Sequence, residues 1–170
     1  LDYYRRAVSR DGIPSLLLDQ LAPQLESRVN DILGPVGRSL KIETERQLTS
    51  GKTKTEVTLS FRSPSSGDEF VPIAELSGGE EDLANLALAA GLARVSADMS
   101  GTTLGTVILD EPCAGVSESL QSETLEVLAR IGQHVRRSVI VTHRRDLAAV
   151  CDAVLEVSQN GAGSVVEVVG

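Results

Sequence analysis

The sequence predicts an α/β fold: a parallel sheet wrapped by helices, with an antiparallel β-hairpin attached. Three observations carry this. Residues 106–109 and 138–141 are short apolar runs, the pattern of parallel strands covered on both faces. Between them, residues 118–132 place Leu120, Leu125, Leu128 and Ile131 at helical spacing, which makes a βαβ unit. Upstream, residues 38–63 alternate apolar and polar positions about a turn cluster, as a hairpin with one wet face does.

In chain order, residues 13–34 read as helix, with Leu17, Leu21, Leu25, Val29, Ile32 and Leu33 along one stripe. Pro14 suits a first turn, whereas Pro23 predicts a break and two short helices. Gly34-Pro35 ends the segment. Leu40, Ile42 and Thr44 then alternate with polar neighbours, as do Val57, Leu59 and Phe61, with Thr49-Ser50-Gly51-Lys52 between them as the expected turn. A second turn at Pro64-Ser65-Ser66-Gly67 leads to a short strand over residues 69–73. A helix follows over residues 79–99, with Leu83, Leu86, Ala87, Ala90 and Ala93 on its inner side. Residues 153–157 and 164–169 close the chain as a hairpin around Asn160-Gly161. There is no internal repeat and no low-complexity stretch.

Composition narrows the function. The 170 residues are enough for one domain, and 41% hydrophobic with 24% charged residues is a folded composition. Two Tyr, two Phe and no Trp leave an aliphatic core and exclude an aromatic platform for single-stranded nucleic acid. A net charge of −8 does not suit a free-standing DNA-binding module, though it allows a local basic patch on a larger assembly. The longest near-apolar run, residues 83–93, contains Asn85 and cannot span a bilayer. The first residues lack the apolar core of a secretory signal. Cys113 and Cys151 are too few for a disulfide framework or a zinc site, so reduced thiols in a cytoplasmic protein are expected. A start at Leu1 rather than Met leads us to expect a piece of something longer.

Three motifs bear chemistry. Leu76-Ser77-Gly78-Gly79-Glu80 lies where a loop enters a helix, and free N–H groups there favour an anion. A plain Ser N-cap with a glycine entry has the same five residues. Val107-Ile108-Leu109-Asp110-Glu111-Pro112 is a strand that delivers two carboxylates to its C-terminal end, where open α/β sheets bind ligands. One carboxylate can hold Mg²⁺ through water while the other polarises an attacking water. A solvated acidic turn reads the same in isolation. Val139-Ile140-Val141-Thr142-His143 brings a histidine to that edge, able to sense a γ-phosphate or merely to sit on the surface. His134, beside Arg136 and Arg137, reads as a surface residue. The order of the three, with 33 residues from Ser77 to Asp110 and 33 from Asp110 to His143, makes coincidence a poor account.

This arrangement resembles the C-terminal lobe of an ABC-type ATPase head, a P-loop NTPase-like parallel sheet with helices: signature loop, Walker B strand, switch histidine. More narrowly it resembles the SbcC-type, SMC-like DNA-repair ATPases. Ser9-Arg10-Asp11-Gly12-Ile13-Pro14, the leucine-rich helix, the hairpin, the signature loop and Asn85-Leu86-Ala87-Leu88-Ala89 follow that family in order. Glu80-Glu81-Asp82 stand where ABC transporters carry Gln and a basic pair, which disfavours a transporter. The resemblance implies that residues 1–12 are the stub of a returning coiled coil and residues 13–170 the lobe itself. It implies ATP as substrate and Mg²⁺ as cofactor, the metal held by Asp110 through water. Glu111 and His143 would be catalytic, and Ser77, Gly78 and Gly79 would meet nucleotide held by a second head. Ala114, Gly115 and Ser117 would form the loop that links the two sites. The implied partners are the N-terminal half of the same head, a second head in a homodimer, an SbcD-type nuclease and DNA, with no membrane and a nucleoid-associated, cytoplasmic location.

Two departures stand out. No G-x-x-x-x-G-K-[ST] loop is present, and Gly51-Lys52-Thr53 lacks the earlier glycine at the required offset. Ser117 replaces the usual Asp after Walker B, where it would cap the next helix and weaken the link between sites. Two other readings compete: a structural DNA-tethering ATPase of the cohesin, condensin or RecN kind, and a domain that keeps the fold without turnover. The entry at residues 12–14 and the hairpin favour the first reading over the tethering one. Asp110, Glu111 and His143 together argue against the inactive one.

Overall fold

The computed structural model describes residues 13–49, 52–112, 114–161 and 163–169. Helix α1 (Ile13–Leu33) leads into a 3₁₀ turn and an antiparallel hairpin, β1 (Ser39–Thr49) and β2 (Lys52–Arg62), with β3 (Val71–Pro72) added to β2. Helix α2 (Gly78–Met99) follows, then the β4–α3–β5 unit: β4 (Thr106–Asp110), α3 (Gln121–Gln133) and β5 (Arg137–Val141). Strands β4 and β5 pair in parallel, and β6 (Val154–Asn160) pairs antiparallel with β7 (Gly163–Val169). The predicted residues 1–12 and turn residues 50–51 lie outside the described residues. No helix among the described residues is long and apolar enough to cross a membrane.

The core lies between the helices and the first hairpin. Val29, Ile32 and Leu33 of α1 meet Leu40 and Phe61 of the hairpin, Leu83, Ala84 and Ala87 of α2, and Val127 and Ile131 of α3. The register Leu40↔Phe61 and Ile42↔Leu59 puts these residues on one face, as the alternation predicts. Strand β1 is the outer edge of its sheet, and two of its N–H groups are answered by α1. Leu40 N–H donates to Asn30 Oδ1 (2.7 Å), and Ile42 N–H donates to Glu26 Oε2 (2.8 Å). Asn30 returns a bond to the Leu40 carbonyl (2.9 Å), so the helix fixes the strand's position and covers its edge.

The structure corrects the sequence reading at four points. Helix α1 runs unbroken through Pro23, which is exposed, so the backbone that its missing N–H frees faces water. Second, the inner side of α2 extends further than expected: Ala84, Gly91, Val95 and Ala97 are buried with Leu83 and Ala87, while Leu86 and Ala90 pack part-buried against the core and, with Ala93, border a cavity of about 220 Å³ against β4. Third, the parallel pair is covered on one side only. Val107 and Leu109 turn toward the helices while Ile108 is 70% exposed and Val141 52% exposed, because two strands alone give a sheet no second layer within this chain. Fourth, Ser117 begins a 3₁₀ turn (Glu118–Leu120) ahead of α3, and its hydroxyl pairs with that of Ser119 (2.8 Å) rather than with the helix backbone.

Candidate functional site

Two groups of residues meet the description of a site. The first lies at the C-terminal edge of β4 and β5. The pair ends on Asp110↔Val141, and Glu111 N–H continues the ladder by donating to the Val141 carbonyl (2.8 Å). Glu111 has φ +46°, the left-handed region that side chains rarely adopt, and a buried Pro112 follows it. The turn brings its carboxylate to the end of β5. Oε1 accepts from His143 Nδ1 (2.9 Å) and from the His143 N–H (3.1 Å), while Oε2 accepts from the Thr142 hydroxyl (3.2 Å). An ionised carboxylate only accepts, so the imidazole proton in this contact sits on Nδ1. The hydrogen bond from His143 holds the Glu111 carboxyl below the usual carboxylate range, against the opposing effect of desolvation.

Beyond His143 the chain is held by charge. Arg144 clasps Asp146 with Nε (3.2 Å) and Nη2 (2.7 Å), and Arg144 N–H donates to the Thr142 hydroxyl (3.1 Å). The Arg144 hydrogen bond, helped by one from Gln121 at the start of α3, brings the Asp146 carboxyl down to about 2. Asp110 stands exposed beside Glu111 at the strand end. A single carboxylate with room for water around it matches the way Mg²⁺ is usually held, by one or two carboxylates together with substrate phosphates.

The second group surrounds the start of α2. Ser77 precedes the helix, and its hydroxyl (2.8 Å) and N–H (3.4 Å) both donate to Glu80 Oε2. Gly78 has open space where a Cβ would stand. Gly79 does not: a Cβ there would lie 3.2 Å from Leu120 Cδ1 and 3.4 Å from Val116 Cα. At Gly115 a Cβ would come 2.9 Å from Asp82 Oδ2. The helix start thus packs directly on the loop that leaves β4, the stretch of Ala114, Gly115 and Ser117. Ala114, Gly115 and Ser117 are exposed.

One residue at this second group escaped the sequence reading. Arg38 is buried at 4% exposure, donates from Nη1 to Glu80 Oε1 (2.9 Å) and from Nε to Glu123, and lies 5.7 Å from the centre of the Phe61 ring. The available signal was parity: Arg38 falls on the same alternation as Leu40 and Ile42, the inward face of the strand.

With this geometry in hand, known proteins give the context. Residues 52–130 match the family model described as SbcC/RAD50-like, Walker B motif. Across that stretch the chain is similar to SbcC/RAD50-like proteins. The matched stretch contains residues 76–80, β4 and most of α3. The chain is 28% identical over 167 residues to the DNA double-strand break repair Rad50 ATPase of Saccharolobus solfataricus, covering 98% of this chain and 19% of that protein. The Methanocaldococcus jannaschii protein of the same description is 24% identical over 170 residues, covering 100% and 15%. Over 89 residues the chain is 33% identical to the SbcC component of nuclease SbcCD from Staphylococcus haemolyticus, covering 52% and 9%. The chain therefore spans less than a fifth of the length of these relatives.

Solved structures show the fold. A chain from a study of ATP-driven dimerization and DNA-stimulated activation of SMC ATPases superposes with TM-score 0.70 at 14% identity, covering 92% of this chain and 89% of that one. The SMC head domain of Thermotoga maritima gives 0.58 at 18% identity, covering 92% and 52%. The chain has the α/β fold of the C-terminal portion of such heads.

Proposed function

We propose that residues 13–170 form the C-terminal half of an ATPase head that dimerises on ATP, hydrolyses it, and thereby controls DNA double-strand-break or DNA-end processing by a partner nuclease of the SbcD type. Residues 1–12 are then the stub of the returning coil. The observation that carries this reading is the Glu111–His143–Thr142 cluster at the C-terminal edge of a parallel pair, 2.9 Å from carboxylate to imidazole, with Asp110 beside it. The relatives named for double-strand-break repair and for a nuclease favour this over a purely tethering head.

The division of labour follows from position. Asp110, exposed at the strand end, serves as the anchor for Mg²⁺ through water; the metal supplies charge neutralisation on the phosphates when bound. Glu111 polarises the attacking water, and its lowered pKa keeps it an ionised acceptor. His143, oriented through Nδ1, presents its other nitrogen to the γ-phosphate. Ser77, Gly78 and Gly79 close on nucleotide held by a second head, where Gly78 leaves space for a phosphate to approach the backbone. The loop at Ala114, Gly115 and Ser117 passes the state of one site to the other through its contact with α2. The phosphate-cradling loop comes from the N-terminal half, and that half has a surface to meet: Ile108, Val139 and Val141 on the parallel pair are exposed apolar side chains.

The test is Ser77→Arg in the complete protein. The long guanidinium fills the gap that hydroxyl and amides must close, so ATP-driven dimerisation is lost while monomer nucleotide affinity stays. Light scattering with a non-hydrolysable ATP analogue reads the first, and fluorescent-nucleotide titration reads the second. Normal dimerisation of the variant, or loss of monomer binding, overturns the trans role and leaves Ser77 as a helix cap.

A further inference from the structure

Arg38 stands behind the signature loop on a different element, and its surroundings give it a task. Glu80, the third residue of α2, uses one oxygen for Ser77 (2.8 Å) and the other for Arg38 (2.9 Å). Glu81 and Asp82 follow it, so three carboxylates crowd the helix start proposed to receive a phosphate. Carboxylates there answer the helix dipole and so compete with an incoming anion. Arg38 is the cation set against this. Its burial would lower its pKa, and the hydrogen bonds it donates to Glu123 and Glu80 outweigh that effect, so it is charged. The Phe61 ring, 5.7 Å from the guanidinium carbon, closes over it.

We propose that Arg38 is the positioning residue of the signature loop: it neutralises Glu80 and fixes its orientation, so that Glu80, which accepts from the Ser77 hydroxyl and N–H, holds Ser77 and the neighbouring amides in place to meet a phosphate oxygen from the nucleotide of the opposing head. The inference rests on the trans reading of Ser77-Gly78-Gly79. Its second partner, Glu123 of α3, accepts from Arg38 and, unlike Glu80, not from Ser77. That asymmetry separates a role in phosphate reception from a role in packing alone. If Arg38 only filled the core, its two carboxylates would be interchangeable.

The experiment uses the complete protein and reads three quantities: the analogue concentration for half-maximal dimerisation, monomer nucleotide affinity, and the unfolding temperature. Arg38→Gln is expected to raise the dimerisation midpoint about ten-fold or more, the scale of one uncompensated charge near a phosphate, with monomer affinity unchanged. Adding Glu80→Gln to it restores the midpoint, because an amide still accepts from Ser77 and carries no charge. Adding Glu123→Gln instead restores only unfolding temperature. Should Arg38→Gln not fold, Arg38→Lys takes its place, with a midpoint expected within about three-fold of wild type because the charge is kept. A wild-type midpoint in Arg38→Gln, equal rescue by Glu123→Gln, or a ten-fold loss in Arg38→Lys overturns the inference. When wild type dimerises and Ser77→Arg does not, any of these outcomes overturns the Arg38 inference alone. A wild type that does not respond to ATP overturns the signature-loop reading and this inference with it.

Discussion

Glu111 carries the one non-glycine left-handed backbone among the described residues, and all its polar contacts point toward β5. Such a conformation costs on the order of 1–3 kcal/mol, which the neighbouring Val141, Thr142 and His143 bonds must hold in place. Glu111→Gln keeps the shape and one acceptor, so in the complete protein it should abolish hydrolysis, by about 10²-fold or more, while leaving ATP binding and trapping the dimer. Asp110→Asn should instead weaken Mg²⁺·ATP binding, since a metal anchor acts already in the ground state. Equal loss of binding in both variants would reverse the assignment. Asp146 makes a separate prediction, about acid. Its carboxyl sits at about 2 in the folded chain, below the ordinary aspartate range, so the folded state binds the proton less readily than the unfolded one. The stabilisation is full above the ordinary value and is lost as pH falls toward the folded one. Asp146→Asn should therefore flatten the decline of urea midpoint between roughly pH 4 and pH 2, with the two proteins converging at the acid end.

At the scale of elements, the α1–α2 contact depends on a missing side chain. A Cβ at Gly91 would lie 2.6 Å from Val29 Cγ2 and 3.3 Å from Leu25 Cδ1, in the middle of the core. Gly91→Ala gains up to about 1 kcal/mol of helix propensity and loses about 1–3 kcal/mol to overpacking, so the urea midpoint should fall. Gly78→Ala, with nothing near its Cβ, should leave the midpoint unchanged or raised and yet impair ATP-driven dimerisation. An opposite ranking of the two would show that Gly78, not Gly91, is the packing glycine. Neither role was legible in the sequence, where both are glycines inside or beside a helical stretch. The difference is set by Val29, which is 62 positions from Gly91 along the chain.

On the scale of the whole molecule, apolar side chains face outward where a core would continue. On the tail hairpin the register Leu155↔Val168 and Val157↔Val166 aligns four of them on one face, each at least 60% exposed. Together with Ile108 and Val141 this is more exposed β surface than an isolated soluble domain tolerates easily. The 170-residue chain alone should accordingly neither bind ATP tightly nor hydrolyse it, and co-expression with the N-terminal half should restore turnover. Micromolar ATP affinity of the isolated chain by calorimetry would overturn this expectation.

Element identities and the order of the motifs were readable from residues alone, because helical and strand periodicity and strand-end carboxylates are local patterns. The hairpin pairing of Leu40 with Phe61 and the meeting of β4 with β5 follow from them. What the chain's own order left open were features that depend on distant partners. Pro23 broke no helix because it faces water, and Ser117 capped none because Ser119 lies closer to its hydroxyl. Arg38 became a buried partner of the α2 start only when Glu80 and Glu123, 42 and 85 positions away, folded against it. Burial of a charge is decided by which opposite charges the tertiary structure brings within a few ångströms, and no local periodicity encodes that distance.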